Sequence, residues 1–171
     1  GNALNYSMVF WDEVFAEIGK EYPDVETYSY LVDAASLYFI EDPERFEIVV
    51  TSNLFGDIIT DIGAGITGGI GLATGANINP EREYPSMFEP VHGSAPDIAG
   101  KGVANPLAAI WSVSQMMDFF TEETWGKLIL DTIKDILNEQ NLLTPDLGGQ
   151  SSTDELGTHF IQQLEKNYKK S

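Results

Sequence analysis

Cysteine is absent from the 171 residues, so this chain has no disulfide, no thiol nucleophile and no thiolate metal ligand. That composition is compatible with a reducing cytoplasm, the expected location. Arginine is nearly absent as well. Arg45 and Arg82 are the only two, among nine basic residues set against 27 acidic ones, for a formal charge of −18. A surface of that sign repels nucleic acid and anionic membranes, and neither is expected as a partner. No apolar run is long enough to span a bilayer. Histidine is limited to His92 and His159, and neither stands in a context that suggests Ser-His-Asp chemistry. Clusters of Cys and His at metal-ligand spacing are missing.

The shortage of cations bears on the ligand. A site for a dicarboxylic acid normally uses several Arg or Lys forks. Either the ligand here is a cation, or the missing positive charges lie on another chain or outside this sequence. The opening residues agree with the second option. Leu4, Met8, Trp11, Phe15 and Ile18 recur at steps of four, three, four and three, the stripe of an amphipathic helix over 2–22. No methionine precedes it. The expectation is the C-terminal part of a longer protein.

What is present reads as alternating strands and helices. Residues 25–32 are rich in β-branched and aromatic side chains and predict a strand. A short helix over 34–41 ends near Pro43, a buried strand covers 46–51 and a helix covers 54–62. The glycine-rich stretch 63–75 predicts a crossing between two lobes, followed by polar loop over 76–85. Three helices close the chain. The first, 106–119, has Asn105 as N-cap and buries Leu107, Ile110, Trp111, Ser114 and Met117. The second, 122–140, carries Trp125, Leu128, Ile129, Ile133, Ile136 and Leu137 on one side. The last starts at a Ser152–Glu155 capping box and bears Leu156, Phe160, Ile161 and Leu164. This order predicts a layered α/β fold.

Two segments carry chemistry. In 53–61 a helix places Asp57 and Asp61 at i and i+4, on one face, with Cβ atoms about 5–6 Å apart. Two like charges repel there unless a divalent cation lies between them, and hard oxygen donors suit Mg²⁺ or Mn²⁺. The apolar neighbours Leu54, Phe55, Ile58, Ile59 and Ile62 predict a cleft, although the spacing alone equally fits a solvated helix edge. Asp33, at the end of an apolar strand, reads first as the N-cap of the next helix.

The second segment is the seventeen residues 88–104, with two prolines and three glycines. It cannot be a helix interior and reads as an ordered binding loop turning into a helix at Asn105. His92 either contacts a ligand or braces the loop. Asp97 suits an adenosine ribose and would repel a 2′-phosphate, although a loop Asp also makes Asx-turns. Residues 63–68 match G-x-G-x-x-G, but a helix rather than a strand precedes them, so they are rejected as a dinucleotide motif.

Taken together, four stretches resemble the isocitrate/isopropylmalate dehydrogenase family of decarboxylating enzymes. They are Leu-Val-Asp33-Ala, the 53–61 segment, the loop from Phe88 to Asn105-Pro106, and Leu143-Thr-Pro-Asp146-Leu-Gly-Gly. Residues 76–82 and 84–90 are similar to its tartrate/D-malate branch. The resemblance implies a two-lobed layered fold without the Rossmann fingerprint. Residues 1–66 would belong to a dimerisation and metal-site lobe, and 67–171 to an NAD-binding lobe. It implies that Asp33, Asp57 and Asp61 hold Mg²⁺ or Mn²⁺, with Asp33 of one copy reaching the other copy's site in a homodimer. It implies that Glu89, His92, Gly93, Ser94, Ala95, Pro96, Asp97, Ile98 and Asn105 hold NAD, with Asp97 on the ribose, Asn105 at the adenine and Asp146 near it. The implied activity is NAD-dependent, metal-assisted oxidative decarboxylation of a D-malate or tartrate-type hydroxy acid. The alternatives are 3-isopropylmalate or isocitrate as substrate, or a noncatalytic subunit of the same fold. The family's catalytic lysine, tyrosine and substrate arginines would precede Gly1, so this chain alone is expected to be inactive.

Overall fold

The computed structural model describes residues 6–170. They form two compact units, one up to Gly63 and one from Ala64 onward.

The first unit holds α1 (Val9–Gly19), α2 (Val32–Glu41) and most of α3 (Asn53–Ile66). Of the expected helix over 2–22, Leu4 lies outside the described residues. On α1 no residue is buried, and Trp11 and Ile18 are exposed, so the stripe has nothing to cover it within the unit. The two expected strands are corrected. Residues 25–32 run extended into α2 without ladder pairing, and 46–51 are likewise unpaired. The second was expected to be buried, yet Ile48 is 88% exposed. A strand is defined by its neighbours, and a β-rich run without a backbone partner stays an extended chain. What holds these runs is an aromatic cluster on α2. Tyr30 meets Tyr38 at 5.6 Å and Phe46 at 5.7 Å between ring centroids, and Phe39 meets Phe46 at 4.4 Å. Arg45 lies 4.0 Å over the Tyr38 ring and bonds Asp42 at 3.0 Å. Helix α3 extends past the expected end at 62, through Gly63 and Gly65. The G-x-G-x-x-G stretch therefore begins inside a helix, the wrong context for a dinucleotide fingerprint.

The second unit begins with β1 (Thr74–Asn77) and β2 (Met87–Pro90), an antiparallel pair with Thr74 opposite Pro90 and Asn77 opposite Met87. The expected polar loop over 76–85 is thus partly strand, and its tip is an ordered turn. Asn79 Oδ1 accepts from the Glu83 and Tyr84 amides at 2.8 and 3.2 Å. Arg82, at a φ of 59°, donates from Nη2 to the Phe119 carbonyl at 2.6 Å.

Three helices follow: α4 (Leu107–Phe119), α5 (Glu123–Glu139) and α6 (Thr153–Tyr168). Their facing sides form one core of Leu72, Leu107, Ile129, Ile133, Ile136, Leu156 and Phe160. Each such side chain removed from water contributes roughly 1.5–3 kcal/mol. Ile110, Trp111, Met117, Leu137 and Leu164 pack against it. Ile161, expected on the buried face of the last helix, is 58% exposed, and Gln163 is buried instead. Helices α4 and α5 approach closely at Gly126, where an added Cβ would strike the Asp118 carboxylate, and Ser114 Oγ donates to the Gly126 carbonyl at 2.8 Å. Next to Gly126, Trp125 stacks on Tyr168 of α6 with centroids 5.2 Å apart.

The capping box at α6 forms as its sequence dictates. Ser152 Oγ accepts from the Glu155 amide, and Glu155 accepts from the Ser152 amide at 2.8 Å. The donors, Ser152 N–H first, hold the Glu155 carboxyl below its usual range. Because the folded carboxyl is the more acidic one, the cap's contribution is complete above the ordinary carboxylate range and fades as pH falls through it. Ser152→Ala is expected to cost about 1 kcal/mol at neutral pH. The cost should shrink in acid, read from melting curves at pH 7 and pH 3. A cost unchanged by pH would show that the Ser152 hydroxyl, 2.9 Å from Glu155 Oε2, does not hold the carboxylate.

Candidate functional site

Asp57 and Asp61 leave α3 one turn apart, and both are exposed. The Thr60 hydroxyl between them is turned back onto its own helix, donating to the Gly56 carbonyl at 2.8 Å. This leaves the two carboxylates as the hard oxygen donors of that face, a set that suits Mg²⁺ or Mn²⁺. The expected cleft is not formed by the surrounding apolar residues, because Leu54 is 67% exposed and Ile58 48%. Asp33 lies in the first turn of α2 and is exposed. Leu31 occupies the N-cap and no side chain caps the helix, so the capping reading of Asp33 is corrected. An acid in a first turn still suits the positive end of the helix. Among the described residues, no three His, Asp or Glu side chains gather into a metal-holding group. Asp33, Asp57 and Asp61 therefore do not form one three-acid group within the chain.

The loop expected to hold a cofactor belongs to the second unit. Glu89 sits on β2 opposite Gly75. Beyond it, residues 93–100 are exposed and built from tight local turns, with the Ile98 and Ala99 amides donating to Ala95 O at 3.0 and 3.1 Å. Ala95, Gly100 and Gly102 take φ values of 42°, 77° and 66°. At the last two, glycine is the residue that enters this region without a Cβ penalty. His92 Nδ1 lies 3.2 Å from the Gly93 carbonyl, a contact within the loop itself. Pro96 and Asp97 lie at the exposed turn.

Against this loop lies an open surface groove of about 420 Å³, lined by Gly93, Ser94, Ala95, Ile98, Ala99, Gly100, Gly102 and Ala104, and by Thr153 and Asp154 from the start of α6. Its size falls within the range of small-molecule sites, and its walls are mostly bare backbone and methyl groups. Such a wall suits a nucleotide, whose pyrophosphate needs close approach to main-chain N–H groups. Ser94, Ala95, Gly93 and Ile98 are thus brought together, while His92 and Asp97 are not among the lining residues. Thr153 and Asp154 escaped sequence reasoning. They lie about fifty residues downstream of the loop, and only the capping box marked where their helix begins.

The loop ends in a part-buried polar knot, in which Asn105 is buried and Asp146 is exposed. The Asn105 side chain accepts from the Leu107 amide at 2.9 Å and donates from Nδ2 to Asp146 Oδ2 at 2.9 Å. Asn105 thus serves the first orphan amide of α4 from one position earlier than a standard cap, since Pro106 occupies the N-cap. Gly71 closes the knot: an added Cβ there would strike the Asp146 carboxylate and come within 3.1 Å of Asn105 Cβ. Asn105 and Asp146, 41 residues apart in sequence, are therefore in direct contact.

The chain is similar to known proteins along almost its whole length. It is 48% identical over 165 residues to a probable tartrate dehydrogenase/decarboxylase of Bacillus subtilis (strain 168), covering 96% of this chain and 46% of that protein. It is also 48% identical over 163 residues to a 3-isopropylmalate dehydrogenase of Thermobifida fusca (strain YX), covering 95% and 45%. The chain thus spans slightly less than half the length of these relatives. The crystal structure of isocitrate dehydrogenase from Methylococcus capsulatus superposes with a TM-score of 0.89 at 39% identity, over 95% of this chain and 48% of that one. The family model of isocitrate/isopropylmalate dehydrogenase matches residues 1–160. On this agreement of sequence and fold, the chain belongs to the isocitrate/isopropylmalate dehydrogenase family.

Proposed function

We propose that this chain carries the cofactor loop and metal-binding acids of an NAD-dependent, Mg²⁺- or Mn²⁺-assisted dehydrogenase that oxidatively decarboxylates a D-malate or tartrate-type hydroxy acid. The observation that carries the reading is the bare, ordered loop of 91–104, which lies along an open groove and runs into the Asn105–Asp146 contact. When bound, the metal supplies Lewis-acid polarisation of the substrate's oxygens and NAD takes the hydride. The protein's part is to hold and orient. Asp57 and Asp61 supply oxygen donors and offset the cation's charge, with Asp33 contributed by the second copy of a homodimer. Asp97 accepts the adenosine ribose hydroxyls, Asn105 and Asp146 meet the adenine, and the loop backbone meets the pyrophosphate.

Neither arginine is spare for a substrate carboxylate, since Arg45 is engaged by Asp42 and Arg82 by Phe119. An arginine that meets those carboxylates is then expected from outside this sequence. Equal identity to tartrate and 3-isopropylmalate relatives keeps the latter as the alternative substrate. The test is NAD reduction by the full-length protein with Mn²⁺ and D-malate, tartrate, 3-isopropylmalate or isocitrate in turn. Turnover with D-malate or tartrate is expected, and no reduction with any of the four would overturn the proposal.

Asp97→Lys tests the cofactor half separately. It removes charge-assisted hydrogen bonds to the ribose and places a cation where a 2′-phosphate would lie. The KM for NAD is expected to rise at least about tenfold while that for NADP falls. An unchanged ratio would clear Asp97 of a ribose role.

A further inference from the structure

We infer that Thr153 is the positioning residue that sets the adenine-nucleotide loop, acting through the carbonyls of Gly102 and Ala104. The inference rests on the nucleotide reading of that loop and deepens it. Thr153 is the first residue of α6, 49 positions beyond Ala104, and makes two hydrogen bonds to the loop. Its amide donates to the Gly102 carbonyl at 2.8 Å, and its hydroxyl donates to the Ala104 carbonyl at 2.6 Å.

Both bonds have a local cause. The first amides of a helix have no partner within it, and the capping box leaves the Thr153 amide free to point outward. Gly102, at a φ of 66°, bends the loop where it meets that amide. The two loop carbonyls are held by one residue, and Asn105, next in line, is fixed by Leu107 and Asp146. The loop thus has an anchored end at 102–105 and a tip at 93–101 whose own bonds are local. Thr153 is also part of the groove wall, so it ties the two sides of the groove together. Without the hydroxyl the Ala104 carbonyl loses its partner, and the loop pays ordering entropy when nucleotide arrives.

The test compares Thr153→Val and Thr153→Ser in the full-length protein, with Thr153→Ala as a second removal of the hydroxyl. NAD dissociation is measured by calorimetry, kinetics at saturating metal, and amide exchange of residues 100–105 without ligand. Val and Ala should weaken NAD about fivefold, the loss of one hydrogen bond. KM for NAD should rise while kcat and KM for the hydroxy acid stay constant. Amide exchange at 100–105 should accelerate without ligand, and Ser should restore both properties to within about twofold. Wild-type protein that binds no NAD would overturn the nucleotide reading, and this inference with it. Wild-type binding matched by Val and Ala would overturn the role of Thr153 alone. A weakening that Ser fails to restore would assign the effect to packing and equally overturn it.

Discussion

Asp57→Asn in the full-length protein is expected to cut metal-dependent turnover at least about a hundredfold while leaving the fold intact. The amide keeps the shape of the side chain and removes its charge, so a cation held there would lose one of the two anionic donors presented by α3. Asp57 is exposed and stands one turn from Asp61, so the fold has no need of its charge. Relief of a like-charge pair should leave the melting temperature equal or slightly higher. Full activity in this variant would remove Asp57 from the metal site. The same variant tests the role of Asp33. Asp57→Asn and Asp33→Asn proteins, each inactive alone, are mixed and allowed to exchange subunits. If Asp33 serves the other copy's site, half the dimers are hybrids, and each hybrid carries one intact site. About a quarter of wild-type activity should return. No recovery would place all three acids in the site of their own chain, and an Asp33→Asn protein active by itself would put Asp33 outside the site altogether.

The second large effect is on stability. Leu107 is 0% exposed and stands at the start of α4 among Leu72, Ile133, Ile136 and Leu156. Leu107→Ala is expected to lower the unfolding free energy by about 3 kcal/mol, the transfer loss plus a residual cavity. Denaturant unfolding should show a lower midpoint with an unchanged slope. A loss under about 1 kcal/mol would mean that the core collapses readily around the gap. The Leu107 amide also donates to Asn105 Oδ1, so the variant reports on the end of the loop too. A weaker NAD affinity is expected to accompany the lost stability.

What was legible in the sequence was whatever depends on near neighbours. Ser152 and Glu155 lie three residues apart and formed their cap. The 3.6-residue rhythm of Ile129, Ile133 and Ile136 placed them in the core. The i, i+4 step of Asp57 and Asp61 predicted their shared face. What depends on distant partners was read less well. Residues 46–51 look like a buried strand because Ile48, Val49 and Val50 are β-branched, but ladder and burial both come from a neighbour this unit does not supply. The hairpin strands hid for the opposite reason. Thr74-Gly-Ala-Asn is poor in β-formers, and it pairs because β2 is brought beside it. Of the loop, composition showed that it is bare and ordered. It did not show that Thr153 holds its far end, since a bond across 49 residues leaves no local trace.

The absent side chain of Gly71 has a mechanical consequence. The turn of Ile70–Leu72, the entrance of α4 and the turn of Pro145–Leu147 meet there with no room for a methyl group. Three stretches far apart along the polypeptide are thereby wedged into one jaw. A purine resting against Asn105 would face a surface that yields as a block or not at all.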